Sequence, residues 1–231
     1  MKRVLLGLGF ALIGLNSRAE GDATYTVVRV EAEKLRLYWR DDADKPLRRL
    51  DRLAAWLKGQ GRTLAFGMNA GMYHADASPV GLLVIDGREI APLNLASGQG
   101  NFFLKPNGVF LVDAQGPRVI DALDYPALRE GVRLATQSGP LLLKQGQIHP
   151  ALGPNSASRY IRNGVCAAGS QALFVITEKP VTLYEFASYF RDALHCQDAL
   201  YLDGAVSSLY SPRLGRNDHW SELGPLLAIV E

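Results

Sequence analysis

The sequence predicts an α+β fold in a single domain: a mixed β-sheet with several antiparallel hairpins, a late βαβ unit and few flanking helices. Three observations lead there. Short apolar runs recur with tight-turn signals between them, Asp86-Gly87, Ala114-Gln115-Gly116 and Gln145-Gly146, which mark hairpins. Only two segments carry the helical period, one over residues 47–57 and one over 183–194. The second of these lies between apolar runs at 172–177 and 199–202, in the order and lengths of a strand–helix–strand unit whose strands run parallel.

Taken in order, Lys2 and Arg3 precede an apolar run over 4–15, and Ser17-Arg18-Ala19 supplies small residues for cleavage. Residues 1–19 read as a signal peptide, too short for a comfortable membrane span. Export to a periplasm or secretion is therefore expected, with no stable membrane span after cleavage and residues 20–231 as one domain. Residues 23–30 and 33–39 alternate; Leu35, Leu37 and Trp39 oppose Lys34, Arg36 and Tyr38, as in a half-buried antiparallel strand. Asp44 and Pro46 then introduce a helix whose apolar face is Leu47, Leu50, Leu53, Ala54 and Leu57, ended by Gly59 or Gly61. A strand at 63–66 runs into a glycine-rich loop, Gly67 to Tyr73, where Asn69 and Gly71 can set an amide and backbone N–H groups against a ligand.

Hairpins follow at 80–93, 108–121 and 134–148, the last starting as one long strand over 134–143. Asn101-Phe102-Phe103 with Asn107-Gly108 mixes aromatic rings and amides, a composition found both in sugar sites and in buried loops. A strand begins at Arg162-Asn163-Gly164-Val165 and returns through Ala168-Gly169-Ser170. Thr182 with Glu185 is a capping box opening the second helix.

Bulk properties narrow the function. A net charge of +2, from 25 basic and 23 acidic residues without a basic block, argues against nucleic acid as a partner. The four histidines are scattered, and neither they nor Cys166 and Cys196 have metal-ligand spacing, so no metal or cofactor is called for. The two cysteines read equally as one disulfide of an exported protein or as two buried thiols.

The chemistry gathers where the late apolar run stops at Asp203-Gly204. Parallel strands point their C-terminal ends at one sheet edge, so Glu178 and Asp203, each following a strand, share a rim. A carboxylate pair about 5 Å apart suits a retaining glycosidic displacement, and a pair about 6.5–9.5 Å apart an inverting one. Arg162 offers bidentate donors to an anion. Ser207 and Ser208 can donate to phosphate or sugar oxygens, or cap a helix. Neither sits in a Gly-x-Ser-x-Gly elbow, which disfavours a serine nucleophile.

Six motifs in order resemble the phosphodiester glycosidase family from about residue 63 to 225: Asn69-Ala70-Gly71-Met72-Tyr73, Asn101-Phe102-Phe103 with Asn107-Gly108, Gln137-Ser138-Gly139-Pro140, Arg162-Asn163-Gly164-Val165, Tyr201-Leu202-Asp203-Gly204 with Ser207-Ser208, and Gly224-Pro225. Where the family often carries further glycines after the Asp-Gly pair, Ala205 and Val206 stand here. The resemblance implies hydrolysis of a sugar from a sugar-1-phosphodiester, which makes a carbohydrate phosphodiester the expected partner. On that reading Arg162 holds the phosphate with Ser138, Ser207 or the Gly204 amide. Asp203 serves the anomeric centre, Glu178 is the second carboxylate, and Asn69 and Asn107 orient substrate oxygens. Two other readings compete: a non-catalytic module binding glycan or cell-wall polymer through the same rim, and a metal-assisted phosphodiesterase.

Overall fold

The computed structural model describes residues 24–231; the expected signal peptide, residues 1–19, lies outside them. Three sheets surround one apolar core. The first runs in the order Tyr25–Glu31, Gln171–Thr177, Asn163–Ala168, Ala199–Tyr201, Leu141–Lys144 and Gln147–Ile148. The second runs Arg216–Asn217, Leu209–Ser211, Leu64–Asn69, Leu226–Val230 and Leu35–Tyr38, and the third Arg88–Ala91, Leu83–Ile85, Leu134–Ser138, Gly108–Asp113 and Gly116–Asp121. Each sends alternate side chains inward, as strand period dictates. Phe174 of the first sheet meets Phe66 of the second at 5.3 Å and Phe110 of the third at 5.8 Å between ring centroids. Val165, Leu200, Met68, Leu227, Leu83 and Leu134 fill the space around them.

The helices cover outer faces. Leu183–Asp192 lays Phe186, Ala187 and Phe190 on the first sheet. Both halves of its capping box form: Thr182 Oγ1 accepts from Glu185 N at 3.1 Å, and Glu185 accepts from Thr182 N at 2.9 Å. Leu50–Gly59 packs on the second sheet through Leu50, Leu53 and Leu57. It starts later than the apolar period suggests. Pro46 bridges back to Arg40, Arg48 takes a left-handed φ of 60°, and Arg49 is extended, so the helix opens at Leu50.

Other details of the expected fold change. Gln171–Thr177 and Ala199–Tyr201 do run in the same direction, but Asn163–Ala168 lies between them and pairs antiparallel with both. Every ladder between the named strands is antiparallel, so the sheets are not mixed in hydrogen bonding. The expected long strand over 134–143 breaks at Gly139-Pro140, where proline has no N–H for a ladder. Its halves, Leu134–Ser138 and Leu141–Lys144, enter different sheets. Gly67 and Asn69, expected in a loop, lie in the strand Leu64–Asn69, paired with Tyr210 and Leu226.

Cys166 and Cys196 form a disulfide, 30 positions apart, that ties the first sheet to the segment after its helix. Closing a loop of that length stabilises by about 3.6 kcal/mol through the unfolded chain. The paired change Cys166→Ala, Cys196→Ala is therefore expected to lower the urea midpoint accordingly, with the slope setting the conversion. An unchanged midpoint would show that the bridge contributes nothing.

Candidate active site

The strand directions bring the expected residues to one end of the molecule. Leu64–Asn69, Leu134–Ser138, Gln171–Thr177 and Ala199–Tyr201 end there, while Gly108–Asp113, Asn163–Ala168 and Leu209–Ser211 begin there. Three polar ties join the sheets at this rim. Asn163 Nδ2 donates to Asn69 Oδ1 at 3.0 Å, Gly71 N to Thr136 Oγ1 at 3.1 Å, and Leu141 N to Pro106 O at 2.9 Å.

Asn69 is the hub of the first tie. It is buried, its Oδ1 also accepts from Ser208 N at 2.9 Å, and its Nδ2 donates to Asp203 O at 2.9 Å. Its amide thus anchors the Asp203–Ser208 turn from both sides instead of facing a ligand. Asn163 closes the ring: its Oδ1 accepts from Ser207 Oγ at 3.2 Å. Ser208 Oγ turns to Val206 O at 2.7 Å. A buried network with its members paired fixes one geometry for the loop.

Arg162 corrects the expectation of a direct phosphate grip. The side chain is buried, 2% exposed. Its Nε donates to Val181 O at 2.8 Å, Nη2 to Ser158 O at 2.8 Å, and Nη1 to the Tyr201 hydroxyl at 3.0 Å. The cation also lies 5.5 Å from the ring centroids of both Tyr160 and Tyr201. Its influence reaches the rim through Tyr201, whose oxygen also faces the Gly204 N–H. A Cβ at Gly204 would stand 1.7 Å from that oxygen, which is why glycine follows Asp203. The Gly204 amide is accordingly turned to the tyrosine rather than to a substrate.

Asp203 follows the strand Ala199–Tyr201 and is half-buried. Burial pushes its carboxyl above the ordinary range, and the Ala205 N–H partly offsets this. No salt bridge reaches it among the described residues, so it is a desolvated carboxylate without a cation. Its charge is felt by two phenols. Burial first, then Asp203 and Glu222, push Tyr73 up to about 12. Burial raises Tyr201, with Arg162 opposing and Asp203 adding to the rise.

Glu178 stands across the Gly204–Val206 turn, in a cleft of about 290 Å³ lined with Ser207, Arg216, Asp218 and Trp220. Arg216 pairs with Glu178 and, through Nε, with Asp218 at 2.9 Å. Asp203 does not line this cleft, so the two carboxylates share the rim but flank the turn separately. Gly71 packs on the third sheet, where a Cβ would meet Gln137 O at 2.1 Å. Asn107 is buried and donates to Phe102 O at 2.9 Å, bracing its own loop. Ser138 is fully buried, and its Oγ has no protein partner among the described residues. Among the described residues no group of three or more His, Cys, Asp or Glu side chains could hold a metal ion, and no helix is long and apolar enough to cross a membrane.

Residues 62–222 match the phosphodiester glycosidase family. The chain belongs to that family. The phosphodiester glycosidase family consists of glycosidase-type enzymes, so the substrate class is carbohydrate. Across 218 residues, 91% of this chain and 85% of the relative, it is 34% identical to "Uncharacterized protein YigE" of Escherichia coli (strain K12). Among solved structures it resembles the zebrafish N-acetylglucosamine-1-phosphodiester alpha-N-acetylglucosaminidase catalytic domain auto-inhibited by pro-peptide, with a TM-score of 0.64 and 13% identity over 89% of this chain and 75% of that one. A hypothetical protein from Synechocystis has a TM-score of 0.54 and 14% identity, over 89% of this chain and 58% of that one. At such identities the likeness concerns the fold.

In this phosphodiester glycosidase domain, sequence reasoning missed Tyr201, Asn163, Tyr73 and Trp220 as site-forming residues. The first three lie inside the family motifs, where Tyr201 reads as one more apolar strand position. Tyr73 donates its hydroxyl to Glu222 O, a contact between segments 149 positions apart that no local pattern announces.

Proposed function

We propose that this chain hydrolyses the glycosidic bond of a sugar-1-phosphodiester, with Asp203 acting at the anomeric carbon. The observation that carries the reading is the desolvated, unpaired Asp203 carboxylate at the rim of a phosphodiester glycosidase domain. As the bond from C1 to the phosphate oxygen breaks, positive charge grows on the sugar, and a carboxylate in a low-dielectric setting stabilises it strongly. Water supplies the hydroxyl that ends on C1 and a proton balances the departing phosphomonoester. Phosphate leaves readily, so little is asked of a general acid.

Arg162 acts as a positioning residue. The buried Tyr201 hydroxyl accepts from Arg162 and faces the Gly204 amide, so the pair holds the backbone that follows Asp203 and sets the position of its carboxylate. Asn69 and Asn163 hold the turn, and Glu178 stands on its other side toward the sugar. The chain is exported, to a periplasm or beyond; the basic and apolar segments before residue 19 and the Cys166–Cys196 disulfide support this. Incubating the purified protein with a panel of synthetic sugar-1-phosphodiesters tests the activity. Equal release of free sugar and phosphomonoester is expected from at least one member, and no release from any member would overturn it.

A further inference from the structure

Trp220 is 81% exposed, the most exposed large hydrophobic side chain among the described residues, ahead of Leu123 at 66%. The other two tryptophans have partners for their indole N–H groups, Trp39 donating to Ala77 O at 2.7 Å and Trp56 to Asp42 Oδ2 at 3.2 Å. Leaving such a ring in water forgoes a large apolar burial term. It is not left at random. The His219 ring lies 4.4 Å from it and supports one side, and the indole lines the cleft of Glu178, Arg216 and Asp218.

Two carboxylates, Glu178 and Asp218, supply acceptors to that cleft on either side of the Arg216 guanidinium. Glu178 Oε1 accepts from Thr26 and Arg216, and no donor among the described residues reaches Oε2. Asp218 Oδ2 accepts from Leu209 N and Arg216 Nε, both at 2.9 Å, and among the described residues Oδ1 has no donor either. One guanidinium between two carboxylates gives a negative sum, so a phosphate is repelled there while hydroxyl donors are welcome. An aromatic face beside free carboxylate oxygens complements a pyranose, which has an apolar C–H face and a ring of hydroxyls. The phenylalanines of the 101–108 loop do not offer this: Phe102 is buried and packs edge-on against Phe103 at 5.1 Å.

We propose that the cleft between Glu178, Arg216, Asp218 and Trp220 is a subsite for a neutral sugar ring, with the Trp220 indole as its stacking surface. The assignment deepens the hydrolase reading and rests on it only in identifying that ring as part of the substrate. The cleft shares the Gly204–Val206 turn with Asp203, so a ring held there abuts the loop that carries the carboxylate. Trp220 is then a binding residue that sets sugar preference, and Glu178 holds sugar hydroxyls.

The test titrates the unmodified chain, Trp220→Ala and Trp220→Phe with a panel of neutral methyl glycosides and with inorganic phosphate, following tryptophan emission and calorimetric heat. A saturable glycoside signal is expected in the unmodified chain, with affinity roughly tenfold lower in Trp220→Ala, equivalent to about 1.4 kcal/mol. Trp220→Phe should recover most of the heat, and phosphate should give none at this cleft. Where turnover is measurable, Trp220→Ala raises KM by a similar factor and changes kcat by no more than about twofold. Absence of glycoside binding, or equal binding by Trp220→Ala, overturns the subsite. If no diester is cleaved yet glycosides bind through Trp220, the hydrolase reading fails while the subsite stands.

Discussion

Asp203→Asn is expected to reduce turnover of a sugar-1-phosphodiester by roughly 10²–10⁴-fold while leaving the protein at least as stable as its parent at neutral pH. The two halves of this expectation share a cause. Burial raises the Asp203 carboxyl above its ordinary value, so the native state holds that proton more tightly than the unfolded chain does. Ionising the group near neutrality therefore weighs on the native state. That burden is present above the raised native pKa and is lifted as pH falls through it. Asparagine has no charge to desolvate, so the variant should melt at the same temperature or higher at neutral pH, and the difference should vanish in acid. The same shift fixes the pH profile. Activity needs the carboxylate, so the acid limb of kcat/KM should lie above the free-aspartate value of about 3.9. A variant that is both inactive and much less stable would mean that Asp203 serves the fold, and full activity would remove it from the chemistry.

Arg162→Met is expected to lose about 3–5 kcal/mol of unfolding free energy, and Arg162→Lys about 2–4 kcal/mol. The guanidinium spans three acceptors that belong to different segments: Val181 O, Ser158 O and the Tyr201 hydroxyl. Removing it leaves all three without that donor, and two of them, on Val181 and Tyr201, belong to buried residues. A lysine ammonium carries three donors at one point and cannot reach the positions of a planar fork. Both changes also slacken the Tyr201 hydroxyl that sits against Gly204, so the remaining folded protein should turn over more slowly. Denaturant unfolding of both variants checks this. Losses under about 1 kcal/mol for both would show that the cation is a passive passenger.

The motif positions were readable in the amino-acid sequence because they coincide with strand ends, and strand ends follow from apolar runs and turn residues. Asp203 is legible for this reason: an apolar run stops at Asp-Gly, and the structure puts that carboxyl at the rim with its charge unpaired. Arg162 was legible as a site element but not in its role, since a polar residue at a strand start gives no hint that it will be buried under two tyrosines. Asn69 shows the same limit, because an amide beside glycines looks ready for a ligand until Asp203 O and Ser208 N take its atoms. The interposed strand Asn163–Ala168 was not foreseeable from the strand–helix–strand pattern, which fixes direction but not adjacency. Trp220 escaped notice because exposure depends on what packs around a residue. The division of 134–143 between two sheets was signalled by Gly139-Pro140, a pair that denies a central strand its N–H.

The most direct test of the central claim is hydrolysis of a synthetic sugar-1-phosphodiester in water enriched in heavy oxygen, with both products analysed by mass spectrometry. Attack at the anomeric carbon near Asp203 puts the label in the free sugar and leaves the phosphomonoester unlabelled. Label in the phosphomonoester would mean that the phosphorus–oxygen bond breaks instead, and the account of Asp203 at a sugar carbon would be contradicted.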